Sequence, residues 1–246
     1  MEHDRRRALG LVAGMSVASV VVLTGCARQD NDDKKGSEED EGGEVTANED
    51  LMREHGVLRR VLVAYREVSP KLMADPGSID AGALAAAANL FRNFGEHYHE
   101  QLLEEQHIFP AVRKAGGEGA GLIDILLAQH QRGRAITDYV IDRTRSGKIG
   151  AGDAAPLAKA LTGFARMYEA HTAREDTVIF PAFKASLGAK AYDEIGEQFE
   201  DIERKTFGGD GFDMALKQVA DIEGKLGVAD LSAFTAPSPA SVATKA

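Results

Sequence analysis

The chain has 246 residues, with 29 Lys and Arg against 39 Asp and Glu, one Cys and no Trp. A formal charge of −10 argues against nucleic-acid binding, which needs a basic face, and a single Cys excludes an internal disulfide framework and any multi-thiolate zinc or iron–sulfur site. The length permits a sizeable core, and 43% hydrophobic with only 6% aromatic residues suits a helical domain better than a β-sandwich.

At the N-terminus Arg5, Arg6 and Arg7 precede an apolar run from Ala8 to Leu23, followed by Thr24, Gly25 and Cys26. A basic start, a short apolar stretch and small residues at its end predict a secretory signal peptide over residues 1–25. Leu23-Thr24-Gly25-Cys26 resembles the bacterial lipoprotein cleavage box. That resemblance implies a lipidated Cys26 as the mature N-terminus, anchored to the outer face of the cytoplasmic membrane in the cell envelope. The Arg run also resembles a twin-arginine signal, so both export routes stay open. Residues 27–47 are read as a disordered acidic linker, because a segment without apolar periodicity cannot bury enough surface to offset its ordering entropy. Residues 30–50 hold ten acids against Lys34 and Lys35, so most of the negative charge belongs to this tether.

Long helices follow. Thr46-x-x-Glu49 is a capping-box pattern, and Leu51, Leu58, Val61, Leu62 and Tyr65 recur at helical spacing until Asp75-Pro76-Gly77 stops the first helix. A second helix is predicted from Asp80 to about Phe109, where Pro110 interrupts it. A third runs roughly from Gly121 to Arg145. A fourth runs from near Asp153, with Pro156 in its first turn, to about Phe180-Pro181. Residues 187–232 form a C-terminal extension with two amphipathic helices, at 190–204 and 211–226, and residues 233–246 read as a disordered tail. The predicted fold class is all-α: an antiparallel up-down four-helix bundle over residues 48–186 with two additional C-terminal helices.

An internal repeat organises the bundle. Glu104-Glu105-Gln106-His107-Ile108-Phe109-Pro110-Ala111 matches Glu175-Asp176-Thr177-Val178-Ile179-Phe180-Pro181-Ala182, and Leu51-Met52-Arg53-Glu54-His55 matches Leu126-Leu127-Ala128-Gln129-His130. Two like hairpins would pack about a pseudo-twofold axis and bring equivalent side chains together. Those side chains are His55, then His99, Glu100 and Glu104, then His130, then His171 and Glu175. His171 and Glu175, like Glu100 and Glu104, are spaced i,i+4 and share one helical face. Their neighbours are apolar, and carboxylates facing a core are costly unless paired or metal-bound. A mixed imidazole and carboxylate cage suits iron or manganese better than a soft-ligand metal. With Glu104 and Glu175 as bridges, it would hold two ions.

The pattern His55 … His99-Glu100-x3-Glu104 … His130 … His171-x3-Glu175 resembles the hemerythrin-like (HHE cation-binding) family across residues 48–186. The resemblance implies a non-haem di-iron centre (manganese being the alternative metal), with His55, His130 and His171 as terminal ligands and Glu104 and Glu175 as bridges. It implies O2, peroxide or nitric oxide as the small ligand at an open metal position. On the second helix the family's usual His, four residues before the carboxylate, is replaced by Glu100, while His99 lies five before it. The repeat favours Glu100, the resemblance favours His99, and both stay candidates. Four residues after His130 stands Arg134 rather than a second His. A cage poorer in imidazole stabilises ferric iron, which points to peroxide or oxidase-like chemistry, or to sensing, more than to oxygen carriage. A non-enzymatic iron-binding or oxygen-sensing module is the alternative reading, and a purely structural four-helix lipoprotein is the third. The lipid anchor is the one expected membrane contact, and the sequence names no protein partner.

Overall fold

A computed structural model describes residues 45–239. The expected signal peptide, Cys26, residues 27–44 of the linker and residues 240–246 of the tail lie outside the described residues. One compact unit begins at Ala47. Its described residues are helical, without a strand, and no described helix is long and apolar enough to cross a membrane.

Helix α1 (Ala47–Ala74) buries the apolar residues that recur along it, Leu51, Leu58, Val61, Leu62 and Tyr65. It ends where Asp75 and Pro76 open a short 3-10 turn, Pro76–Ser78, capped by the Asp75 carboxylate accepting from the Gly77 N–H. Helix α2 (Ala81–Leu90) starts on Asp80, whose side chain accepts from the Ala83 N–H. Ala83, Leu84, Ala87 and Ala88 form its buried face, so the small side chains let neighbouring backbones approach closely.

The rod does not stop at Pro110. Helix α2 continues through a π-helical stretch, Phe91–Ile108, into α3 (Phe109–Ala115). The same device recurs in the second half, where α5 (Ala151–Arg174) passes through a π-helical turn, Glu175–Ile179, into α6 (Phe180–Ser186). The Phe109 N–H bonds back five residues to the Glu104 carbonyl, and the Phe180 N–H to that of Glu175. The next residue in each case is Pro, which has no N–H to place while the register returns to i−4. The prolines therefore mark the end of each widened turn rather than the end of the helix.

Helix α4 (Gly117–Thr144) begins earlier than expected, directly after Gly116 and Gly117, whose φ angles of +80° and +76° turn the chain tightly. Helix α5 starts at Ala151, so Pro156 sits two residues further in than expected. Neighbouring rods run antiparallel. Along α1 and α5 the contacts Asn48 to Phe180, His55 to Asp176 and Arg66 to Glu169 rise on one side and fall on the other. Between the second rod and α4, Glu96 to Thr137, Glu105 to His130 and Arg113 to Asp124 show the same slope. In the extension, α7 (Ala189–Phe207) and α8 (Gly211–Leu226) match the two expected helices closely. Arg60 clamps α8 to α1 by donating to both oxygens of Glu223, at 2.8 and 2.6 Å. Beyond α8, Leu231–Phe234 forms one 3-10 turn, overlapping the start of the expected tail.

Candidate metal centre

Burial of seven titratable side chains in one region defines the site. His55, His99, Glu100, Glu104, His130, His171 and Glu175 are all at most 3% exposed. The imidazoles form two pairs, each joined Nε2 to Nε2: His55 and His99 at 2.9 Å, His130 and His171 at 3.1 Å. Two nitrogens bound side by side on one ion at ordinary bond lengths of about 2.1 Å would lie roughly 3 Å apart.

The two carboxylates lie between the pairs. Glu104 places Oε1 3.5 Å from His99 Nε2 and Oε2 3.4 Å from His130 Nε2. Glu175 places Oε2 3.5 Å from His55 Nε2 and Oε1 2.9 Å from His171 Nε2. Each carboxylate thus offers one oxygen to each imidazole pair. None of these four buried oxygens accepts a well-formed hydrogen bond, and such orphans are rare in a packed interior. Their atoms gather as Glu104, His130, His171 and Glu175 in one group and His55, His99 and Glu104 in another. Burial pushes the Glu104 and Glu175 carboxyls up to about 8 and the His55 and His130 imidazoles down to about 3. A cation placed among them would reverse the carboxyl shift by holding both groups ionised.

The outward nitrogens are fixed as well. His55 Nδ1 lies 2.7 Å from Asp176, His99 Nδ1 2.6 Å from Glu54, His130 Nδ1 2.9 Å from Glu105 and His171 Nδ1 2.9 Å from Gln129. A carboxylate or amide oxygen on Nδ1 selects the tautomer that leaves Nε2 free to bind a metal. Burial alone would lower the His99 pKa, but Glu104 and Glu54 outweigh it and hold it well above the ordinary value. Phe180 stacks on His55 and Phe109 on His130, with centroids 5.3 and 5.4 Å apart. These two rings, expected from sequence to stand at helix ends, wall the site instead.

The widened helix explains how His99, five residues before Glu104, reaches the centre. At about 4.4 residues per π turn, a residue five back stays close to the same face, whereas in a regular α-helix it swings away. Glu100 goes elsewhere: its Oε1 accepts from the Tyr168 hydroxyl at 2.7 Å, and its Oε2 lies 3.8 Å from His130 Nδ1. It gathers with Glu105 and His130 on the outer side of that imidazole, a third group able to hold a cation. There Arg134 already pairs with Glu105 and lies 3.4 Å from Glu100. The Tyr98 hydroxyl likewise donates to Glu54, so neither tyrosine points at the centre. His97 is exposed, and His107 packs its ring against Phe199.

Sequence reasoning gave no role to Glu54, Glu105, Gln129 and Asp176. The repeat contained them: Glu54 aligns with Gln129, and Glu105 with Asp176. Glu54 and Gln129 support His99 and His171, while Glu105 and Asp176 support His130 and His55, the two imidazoles that the repeat itself aligns.

Residues 46–183 match the Hemerythrin HHE cation binding domain. A protein of Mycobacterium bovis and proteins of two Mycobacterium tuberculosis strains, each named only as an uncharacterized protein, are 43% identical over 235 residues. The match covers 94% of this chain and 90% of each relative. No solved structure matches the chain.

Proposed function

Because the chain belongs to the hemerythrin HHE cation-binding family, we propose that it is a non-haem di-iron protein that binds or reacts with O2, peroxide or nitric oxide. His55 and His99 would hold one ion and His130 and His171 the other, with Glu104 and Glu175 offering an oxygen to each. His99, rather than Glu100, would be the second rod's terminal ligand. The observation that carries this reading is the pair of buried carboxylates that each offer one unsatisfied oxygen to each imidazole pair. The four antiparallel rods are read as the up-down four-helix bundle of the family.

Hard oxygen donors mixed with imidazole favour iron, with manganese as its competitor. Iron bound here would supply reversible one-electron chemistry toward a small ligand. The chain's own residues do the rest. Asp176, Glu54, Glu105 and Gln129 orient the imidazoles, while Phe109 and Phe180 keep bulk water from the ligand faces.

Purified protein should carry about two irons per chain and near-ultraviolet charge-transfer bands that change when air is admitted. Metal-free protein, or one ion per chain under iron-replete expression, would overturn the assignment. Catalase or nitric oxide turnover then identifies the substrate. We also propose export with lipidation at Cys26, placing the site outside the cytoplasmic membrane. The support is the Leu23-Thr24-Gly25-Cys26 box behind its basic and apolar signal. Cys26→Ala should abolish processing and membrane attachment, and unchanged gel mobility and fractionation would refute the anchor.

A further inference from the structure

The C-terminal extension borders a cleft that the metal centre does not use. It measures about 350 Å³ and lies between the second rod and the helices α7 and α8. That size falls in the range of small-molecule sites. Its floor is apolar: Leu90, Phe94 and Ala215 are buried, and the Phe207 ring closes one side. That ring is built in. A Cβ at Gly211 would lie 2.2 Å from Phe207 Cδ2, so only glycine lets the ring lie where it does. Phe207 meets Phe94 at 5.9 Å and presents its edge to Tyr98 at 5.2 Å between centroids. At the rim stand the exposed Asn93, His97 and Gln218, with the Met214 thioether beside them.

In a chain with 28% charged residues, none of the ten lining residues is Asp, Glu, Lys or Arg. A nucleotide or other phosphate-bearing ligand would find no cation to offset its charge. A hydrocarbon would make no use of the Asn93 and Gln218 amides or of His97 Nε2, the His97 Nδ1 already lying 3.2 Å from Gln101 Oε1. Aromatic walls on the floor and hydrogen-bonding groups at the mouth fit a ring with a polar edge. We propose that this cavity is a binding site for a neutral aromatic molecule bearing a hydroxyl or carbonyl group, of the phenol or quinone class. The ring lies on the floor against Phe94 and Phe207, and the polar edge meets His97, Asn93 or Gln218.

1-Naphthol titrated into the full-length protein at pH 8 tests this by fluorescence and by ligand-observed NMR. The expected result is one saturable site with a Kd between about 1 μM and 1 mM. His97→Ala should weaken 1-naphthol several-fold and leave naphthalene unchanged. Ala215→Leu fills the floor and should weaken 1-naphthol about tenfold or more. Should that variant fold poorly, Gln218→Trp at the exposed rim plugs the mouth without touching the core, with the same expected loss. 1-Naphthyl phosphate should bind at least about tenfold more weakly than 1-naphthol, for want of a cation. Absence of saturation to millimolar concentration would overturn the proposal. So would wild-type affinity in the folded cavity variants, or equal binding of the phosphate.

Discussion

Around His55 and His99 the imidazoles rest on two carboxylates, Asp176 and Glu54; around His130 and His171 they rest on one carboxylate, Glu105, and one amide, Gln129. Solvent separates the halves too. The side chains of Glu54 and Asp176 are 1% and 10% exposed, and Glu54 accepts from the Tyr98 hydroxyl, whose ring packs in turn against Phe207. The Glu105 side chain is 26% exposed and Gln129 is half-buried. A carboxylate draws the Nδ1 proton more strongly than an amide does and makes the opposite nitrogen a stronger donor. One inherited geometry thus yields a sealed, electron-rich half and a more approachable half with weaker donors. A small ligand is expected to arrive on the second.

If Glu104 and Glu175 bridge two ions as proposed, they should matter equally to both halves, and their loss should have the largest effect. Glu104→Ala and Glu175→Ala should each reduce iron from about two per chain to one or fewer and abolish the charge-transfer bands, read by metal analysis and absorption. If one of these variants retained two irons, the symmetric role of the carboxylates would be broken.

Metal removal comes next. In the metal-free protein burial holds the Glu104 and Glu175 carboxyls at about 8, against an ordinary 4.5. A raised folded pKa favours the fold while the group is protonated. That contribution is complete below about 4.5 and is lost as pH rises through about 8. The lowered pKa values of His55 and His130 work in the opposite sense, but only below their ordinary 6.5. Between pH 6.5 and 8 the metal-free protein should therefore lose stability. The loaded protein, with Glu104 and Glu175 held ionised by cations, should lose less, the remainder coming from Glu100, which burial also raises to about 8. Thermal melts with and without chelator would show the two trends, and parallel curves would contradict the placement of the metals.

Exchange of the outer partners sharpens the contrast between halves. Glu54→Gln makes the sealed half resemble the open one and should weaken its ion by about 10–100-fold. Gln129→Glu should strengthen the other half, by a smaller factor because the added charge is partly hydrated. Competition with a chelator measures both. Equal effects of the two substitutions would remove the proposed asymmetry.

Packing around the open half offers a fourth test. A Cβ at Gly133 would lie 2.0 Å from the Tyr168 hydroxyl, which donates to Glu100. Gly133→Ala should cost about 1–3 kcal/mol in denaturant unfolding. Tyr168→Phe in that background should recover part of the loss, since the crowded oxygen is then gone. Additive costs would mean that the phenol does not depend on this gap.

Much of this was legible in the sequence, because periodicity and repetition are local signals. The apolar spacing of Leu51 to Tyr65, the Asp80 cap and the two matched motifs marked the rods, and with the i,i+4 spacing of His171 and Glu175 they singled out His55, His130 and His171. Illegible were features that depend on backbone register or on a partner helix. Pro110 and Pro181 read as helix ends because α-helical hydrogen bonding requires their N–H, and only a π turn removes that need. The choice between His99 and Glu100 depended on the same turn. Glu54 and Glu105 looked like ordinary helix charges until the opposing imidazoles came within 3 Å.

The smallest expected effect comes from the cover of the sealed half. Arg60 and Glu223 join α1 to α8, yet Arg60 is 37% exposed, so water screens much of their attraction. Arg60→Ala should reduce global stability by no more than about 1 kcal/mol. Its informative consequence is local. Arg53 rests on the Phe212 ring at 4.4 Å, and Glu203 accepts the Phe212 N–H, so α8 retains other attachments and should not detach. Looser seating of α8 reaches Tyr98 through Phe207, which Gly211 holds in place, and Tyr98 reaches His99 through Glu54. Amide exchange should therefore quicken around Tyr98 and Glu54 and stay unchanged around Gln129 and Glu105, which lack this cover. Equal quickening in both halves would mean that the extension stabilises the whole bundle rather than sealing one side of its centre.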